Sequence, residues 1–251
     1  MKILITNDDS IHAPGLHALI DCASNFGDVL VVAPVEPQSG QSSAITVRQP
    51  LRIEENESYH GARMFTVSGT PVDCVKLAMH TLFDTKPDLL LSGINHGSNS
   101  GNCIVYSGTL GAVLEGCMLG IPSVGFSLLH HSLKADFSLS QNFVTAIIAE
   151  VVKNGLPDYT ALNVNIPARI VPKGVRVCRA ARGHWTEEYR EYTDPFGKPF
   201  YMLTGLFVND EADCTDTDEY WLGKGYISAV PVTPEMTSFG HIESLSRIFN
   251  D

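Results

Sequence analysis

The sequence predicts an α/β fold with a mostly parallel sheet, and two features of the chain indicate this. First, short apolar runs of strand length alternate with helical patterns along roughly the first two-thirds of the 251 residues. Second, the runs Lys2–Thr6, Asp28–Ala33 and Asp88–Ser92 are almost continuously apolar. Strands that helices cover on both faces have such continuous apolar sequences, whereas half-exposed strands alternate between apolar and polar residues.

The alternating elements occupy residues 1 to about 170. Pro14-Gly15 leads into a helix through about Ser24, and Thr70 can cap a helix that begins at Pro71 and runs to about Leu82. The other predicted elements are strands at Arg63–Val67, Ser123–Phe126 and Ala161–Val164, and helices at Gly108–Leu119 and Phe137–Val152.

The pattern changes after about residue 170. The segment Gly183–Glu219 is polar and glycine-containing and predicts hairpins and loops, with Asp210–Glu219 as a solvated acidic loop that lacks calcium-loop spacing. Gly225–Val232 predicts one more strand. One face of a short terminal helix is apolar, at Ile242, Leu245, Ile248 and Phe249. We therefore expect a catalytic core at 1–180 and a C-terminal part at 181–251, with hairpin, returning strand and terminal helix, within the same overall domain.

Composition limits the possible partners and compartment. The net charge is −11, which argues against a nucleic-acid partner because such binding depends on Lys and Arg. The N-terminal apolar run is too short for a signal peptide, and no stretch predicts a membrane-spanning helix. None of the six cysteines forms a CxxC pair, which favours reduced, structural thiols. These features predict a cytoplasmic enzyme without a membrane partner.

Polar side chains follow the predicted strands, where a parallel sheet binds its ligands. Asp8 and Asp9 end the first strand, Ser39 follows the second, and Asn95 follows the strand at Asp88–Ser92. Carboxylate, hydroxyl and amide oxygens suit a hard divalent cation, and no His or thiolate cluster favours zinc. We therefore expect one divalent ion, Mg²⁺ or Mn²⁺, held by these four residues.

A helix N-terminus adds an anion site. Ser107, Gly108 and Thr109 place small residues and hydroxyls where free backbone N–H groups bind phosphate. A cation beside such a site predicts hydrolysis of phosphate esters by metal-activated water, with Asp8 or Asp9 orienting the water and Ser107 holding phosphoryl oxygens. The Asp-x-Asp pattern of one phospho-aspartyl class is missing, because position 10 is serine. A phospho-aspartyl enzyme and a non-catalytic nucleotide or metal sensor remain as alternatives.

Several motifs together resemble those of the SurE family of metal-dependent nucleoside monophosphate phosphatases. They follow one another in family order: ILITNDDSIHAPG (3–15), APVEPQSG (33–40), SGTPVDCVKLA (68–78), LSGINHGSNSG (91–101), VYSGTLGAVLEG (105–116) and LNVNIP (162–167).

The resemblance implies a fold, an activity and a site. It implies a Rossmann-like three-layer core and hydrolysis of nucleoside 5′- and 3′-monophosphates, with polyphosphatase activity in some members. It implies homodimers or homotetramers built through the C-terminal hairpin and tail. It also implies that Asp8, Asp9, Ser39 and Asn95 bind the metal. Five further residues are implied to line the phosphate and reaction site: Asn7, Asn99, Ser107, Gly108 and Thr109.

Overall fold

The computed structural model describes residues 1–132 and 134–249, and a nine-stranded sheet forms its centre in the order β3-β4-β2-β1-β5-β6-β7-β13-β8. The strands are β1 (Lys2–Thr6), β2 (Asp28–Pro34), β3 (Ile53–Tyr59), β4 (Ala62–Val67), β5 (Leu89–His96), β6 (Ser123–Leu128), β7 (Ala161–Ile166), β8 (Val175–Val177), β9 (Gly183–Thr186), β10 (Tyr189–Thr193), β11 (Pro199–Leu203), β12 (Leu206–Asn209) and β13 (Ile227–Val232). The α-helices are α1 (Pro14–Ala23), α2 (Pro71–Thr81), α3 (Gly108–Met118), α4 (Ser138–Asn154), α5 (Asp218–Gly223) and α6 (Phe239–Phe249), and a 3₁₀ helix covers Gly101–Tyr106.

Helices cover both faces of the sheet, which confirms the predicted three-layer α/β core. Successive residues of β1 point to opposite faces, so Ile3 and Ile5 pack in one apolar cluster and Leu4 in the other. The first cluster also contains side chains of α1 and α4, and the second contains side chains of α2 and α3. This double burial explains why the central strands are apolar without alternation.

The strand order reverses beside β1. Ile3 of β1 pairs in parallel with Val29 of β2 on one side and with Leu89 of β5 on the other. The chain therefore leaves β1 towards one edge of the sheet and later returns to its other side. The loops after β1 and β5 diverge at this point and leave a crevice at the carboxyl ends of the strands, which is where such sheets bind ligands.

The predicted strands and helices of the core are all present, with small differences in their ends. β5 runs to His96 instead of ending at Ser92, so Asn95 lies within the strand and pairs with Ser127. Gly93 has φ +124°, and the pairing register shifts between Ser92 and Asn95. Because the strand is irregular here, the sequence shows no regular strand pattern that would predict its extension to His96.

In the described part of the chain, the residues after about 180 form five strands, β9 to β13, and two helices, α5 and α6. β9 pairs with β12 and β10 with β11, each antiparallel, as the sequence predicts for hairpins. β13 returns to the central sheet between β7 and β8. Within the described residues no helix is both long and apolar enough to cross a membrane. The last two positions of the expected C-terminal part, Asn250 and Asp251, lie outside the described residues.

Candidate active site at the strand ends

The acidic pair lies directly after β1, in the crevice between β1 and β5. Asn7 and Asp8 are buried, and Asp9 is partly buried. The Asn7 amide Nδ2 donates a hydrogen bond to the Ser10 carbonyl at 2.8 Å, which closes a tight turn around the two carboxylates. Ser10 itself adopts φ +85°, a left-handed conformation that non-glycine residues rarely take. This turn holds both aspartates at the strand end.

The N-terminus of α3 packs against Asp8. The Thr109 hydroxyl donates to Asp8 Oδ1 at 2.6 Å, and both residues are buried. A Cβ atom added at Gly108 would lie 3.0 Å from Asp8 Cβ and 3.1 Å from Asp8 Oδ2. The helix can approach the carboxylate this closely because position 108 has no side chain. The structure thus brings Gly108 and Thr109 into contact with Asp8.

Burial changes the acidity of Asp8. Removal from water, the larger cause, and the neighbouring charge of Asp9 together raise the pKa of Asp8, which is about 6 against an ordinary value of 3.8. The hydrogen bonds from Thr109 oppose this rise. Both causes of the rise penalise the ionised carboxylate, and a cation bound beside the pair would compensate for them.

The loop after β2 reaches the acidic pair through its backbone. The Gln38 N–H donates to the Asp8 carbonyl at 2.7 Å, and the next residue, Ser39, is exposed. Further along, Ser42 donates through its N–H to the Tyr106 carbonyl at 3.1 Å and through its hydroxyl to the Val105 carbonyl at 2.6 Å. The loop that carries Ser39 is therefore tied both to Asp8 and to the segment before α3.

The end of β5 contacts the second carboxylate. The main-chain N–H of His96 and its ring Nδ1 both lie 2.9 Å from Asp9 Oδ2. The preceding residue, Asn95, is partly buried and donates its side-chain N–H to the Gly97 carbonyl at 3.0 Å. This bond leaves the Asn95 amide oxygen as the group available to a cation.

Asn99 belongs to a buried amide network next to this crevice. Its Nδ2 donates to the Ser127 hydroxyl at 2.8 Å, and its backbone N–H donates to Asn165 Oδ1 at 2.8 Å. Asn163 donates to the Asn99 carbonyl at 2.8 Å, and Asn165 donates to Asn163. The network ties the loop after β5 to the ends of β6 and β7. Asn99 thus already has bonds that order this loop.

Ser107 occupies the N-cap of α3. It is buried, and its hydroxyl accepts a hydrogen bond from the Leu110 N–H at 3.1 Å. This cap leaves the N–H groups of Gly108 and Thr109 in the first turn, ahead of the intrahelical bonds. The positive end of the helix dipole lies beside Asp8, against which this end of the helix packs.

The candidate cation ligands are all hard oxygen donors. The side-chain hydrogen bonds engage one oxygen of each carboxylate, Asp8 Oδ1 and Asp9 Oδ2, so the other oxygen of each can serve a cation. Among residues 1–132 and 134–249, no three His, Cys, Asp or Glu side chains come together as a metal-binding group. The candidate set instead combines two carboxylates, one amide and one hydroxyl, which fits Mg²⁺ or Mn²⁺ better than a thiophilic metal.

Sequence reasoning missed several residues that support the site. His96, Asn163 and Asn165 contact the site. In the sequence, they are indicated only by their position within the family motifs. The prediction that Asp210–Glu219 is a solvated loop is wrong at its end. Asp218 is fully buried and accepts hydrogen bonds from the N–H groups of Gly101 and Ala181 at 2.7 and 2.8 Å. It anchors the start of the 3₁₀ helix, which a solvated carboxylate would not do.

Comparisons with known proteins identify the family of the chain. The family model described as "Survival protein SurE" matches residues 3–187. A protein of Christiangramia forsetii named 5′-nucleotidase SurE is 49% identical over 97% of this chain and 95% of its own length. A protein of the same name from Phocaeicola vulgatus is 42% identical over 98% of this chain and 95% of its own length. The crystal structure of the SurE protein from Aquifex aeolicus superposes with a TM-score of 0.85 at 35% identity and covers all of both chains. These matches confirm the resemblance, and the chain belongs to the SurE family.

Proposed function

We propose that this chain is a phosphomonoesterase that hydrolyses nucleoside 5′-monophosphates to nucleoside and phosphate with the help of one divalent cation. The observation that carries the proposal is the 2.6 Å hydrogen bond from Thr109 to Asp8, because it joins an acidic pair to a helix N-terminus. A cation site and an anion site in contact are what phosphoryl hydrolysis requires. Relatives of 49% and 45% identity that carry the name 5′-nucleotidase support the choice of substrate.

Asp8, Asp9, Ser39 and Asn95 would hold the cation, as Mg²⁺ or Mn²⁺. When bound, such an ion neutralises phosphoryl charge and makes a nearby water more acidic. The raised pKa of Asp8 supports this assignment, since two adjacent carboxylates in a buried turn need an opposing charge. Asp9 has one oxygen held by His96, and its other oxygen completes the set.

The protein's own groups would act on the phosphate and the attacking water. The N–H groups in the first turn of α3, at Gly108 and Thr109, together with Ser107, would bind phosphoryl oxygens and stabilise the charge that develops on them. Asn7 and Asn99 would border the same space. Asp8 or Asp9 would orient the water and accept its proton.

The C-terminal part, residues 181–251, would assemble the enzyme into a homodimer or homotetramer. None of the side chains of α6 is buried, and its apolar residues Phe239, Ile242, Leu245, Ile248 and Phe249 are 49–76% exposed. Every residue of β10 and β11 is also exposed. Apolar side chains exposed together on one helix face support an interaction site there. The cytoplasmic location expected from the sequence stays a prediction.

Phosphate release from AMP and GMP tests the function. The enzyme should release phosphate with Mg²⁺ or Mn²⁺ and lose that activity in excess EDTA, with recovery when the ion is restored. Nucleoside 3′-monophosphates and short polyphosphate, assayed alongside, define the range of substrates. If no divalent ion supports phosphate release, the result would contradict the proposal and favour a non-catalytic nucleotide or metal sensor. Trapping of a phosphorylated Asp8 or Asp9 would contradict direct attack by water.

Matched variants locate the activity. Asp8→Asn removes a carboxylate from the proposed site, whereas Asp28→Asn removes an exposed carboxylate at the opposite end of the sheet. We expect the first variant to lose activity by orders of magnitude and the second to retain it.

A further inference from the structure

His96 contacts Asp9 through both its main chain and its side chain. Its main-chain N–H and its ring Nδ1 converge on a single carboxylate oxygen, Oδ2, at 2.9 Å each. The ring is 3% exposed and the Asp9 side chain 14%. Two donors on one oxygen restrict rotation of the carboxylate, and water competes little for buried hydrogen bonds.

The ring of His96 is itself held in place. Phe137 packs edge-on against it, with ring centroids 5.3 Å apart and an interplanar angle of 86°. The other ring nitrogen, Nε2, is buried without a hydrogen-bond partner among the described residues. This arrangement fits the tautomer in which Nδ1 carries the hydrogen and donates to Asp9, because Nε2 then has only a lone pair and no N–H to satisfy.

We propose that His96 is a positioning residue that holds Asp9 Oδ2 so that Oδ1 is presented to the divalent cation. This inference rests on the proposed function. His96 follows Asn95, another proposed ligand, so the same strand end would supply one ligand directly and orient a second. Residues that hydrogen-bond a metal ligand pre-orient it, and their loss typically weakens metal binding or activity by about 10–100-fold.

Three substitutions separate positioning from a structural role. His96→Leu removes the side-chain donor and keeps apolar bulk against Phe137. His96→Asn can place an N–H where Nδ1 lies, whereas His96→Gln places its N–H one bond further away, near the position of Nε2. The readouts are the Mn²⁺ dissociation constant by calorimetry, the unfolding midpoint in EDTA, and kcat and KM for AMP at saturating Mn²⁺.

We expect Mn²⁺ binding to weaken by about 10–100-fold in His96→Leu and His96→Gln and to be largely restored in His96→Asn. Saturating Mn²⁺ should recover most of kcat, with KM for AMP little changed, because the defect lies in cation binding. If His96→Leu fails to fold, the difference between His96→Asn and His96→Gln decides in the same way.

Two results would overturn the inference and leave the proposed function standing. One is wild-type Mn²⁺ affinity in folded His96→Leu or His96→Gln. The other is equal weakening in all variants, which indicates a structural role. If the wild-type protein binds no divalent ion at all, the proposed function fails and this inference fails with it.

Discussion

At the scale of the residue, Asp8 combines burial, a charged neighbour and one short hydrogen bond. The 5% exposure of this residue and the charge of Asp9 both favour its protonated form, and Thr109 only partly opposes them. Without a cation, the protein therefore carries an unfavourable charge once Asp8 ionises. A cation would reverse the sign of that interaction.

This charge predicts a pH-dependent stability in EDTA. The pKa of Asp8 is about 6 in the folded protein against 3.8 ordinarily, so its stabilising contribution is complete below pH 4 and is lost as pH rises through 6. Asp8→Asn removes this loss and keeps an acceptor for Thr109. We expect the variant to be more stable than wild type at pH 7.5, by up to about 3 kcal/mol, and to lose that advantage near pH 4.

Urea unfolding at several pH values in EDTA measures the difference, with Asp28→Asn as the control for loss of an exposed carboxylate. A stability difference that stays constant from pH 4 to 7.5 would show that Asp8 does not titrate in this way.

Some of these residues can be recognised from the sequence and others cannot, for a physical reason. Two adjacent carboxylates after an apolar strand form a local pattern, so Asp8 and Asp9 stand out in the sequence. His96 contacts a partner 87 positions away, and Asn165 contacts Asn99 across 66 positions. Such contacts depend on which strands become neighbours, and neither residue type nor spacing shows this.

At the scale of the element, the closeness of α3 to β1 depends on one missing side chain. A Cβ at Gly108 would approach Asp8 to 3.0 Å and Pro71 to 3.3 Å, so one of these neighbours or the helix must move. Gly223 in α5 has no heavy atom within 4 Å of the corresponding position. The two glycines therefore form a matched pair for substitution.

We expect Gly108→Ala to lower kcat/KM for AMP by about tenfold or more, because small displacements of reacting groups are costly. Gly223→Ala should leave it unchanged. Steady-state kinetics together with the unfolding midpoint measure the effect. Wild-type kinetics in Gly108→Ala would show that the helix N-terminus and the acidic pair do not act together.

Most of the elements that the sequence predicts are buried in the core or carry a strong cap signal, whereas the exposed helix α6 is indicated by its apolar face alone. Thr70 and Asp73 form a reciprocal capping box at α2, and Pro71 opens the helix. The missed elements are short or exposed. β3 is a polar edge strand, β8 has three residues and α5 has six. The formation of β3 and β8 depends on pairing with neighbouring strands, which propensity alone does not indicate.

At the scale of the whole molecule, the apolar face of α6 is exposed, and the proposed assembly gives it a partner. The face contains Ile242 and Leu245, each about half exposed, whereas Ser244 lies off it. A second copy of the chain would cover this surface and bury it from water, which is favourable by about 25 cal/mol for each Å².

We expect the wild-type protein to be a dimer or tetramer in light scattering coupled to size exclusion. The double variant Ile242→Glu/Leu245→Glu should shift the mass towards the monomer, and Ser244→Glu should not. A monomeric wild type, or an unchanged mass in the double variant, would contradict assembly through the C-terminal part.

The ends of β1, β2 and β5 are proposed to bind a divalent cation for phosphate hydrolysis, and anomalous diffraction from crystals grown with Mn²⁺ tests that claim. We predict one strong peak per chain, about 2 Å from a carboxylate oxygen of Asp8 and of Asp9 and within reach of Asn95 and Ser39. The Asp8→Asn variant should lose or weaken this peak. A Mn²⁺-bound crystal with no peak beside the acidic pair, or with its peak elsewhere, would contradict the claim.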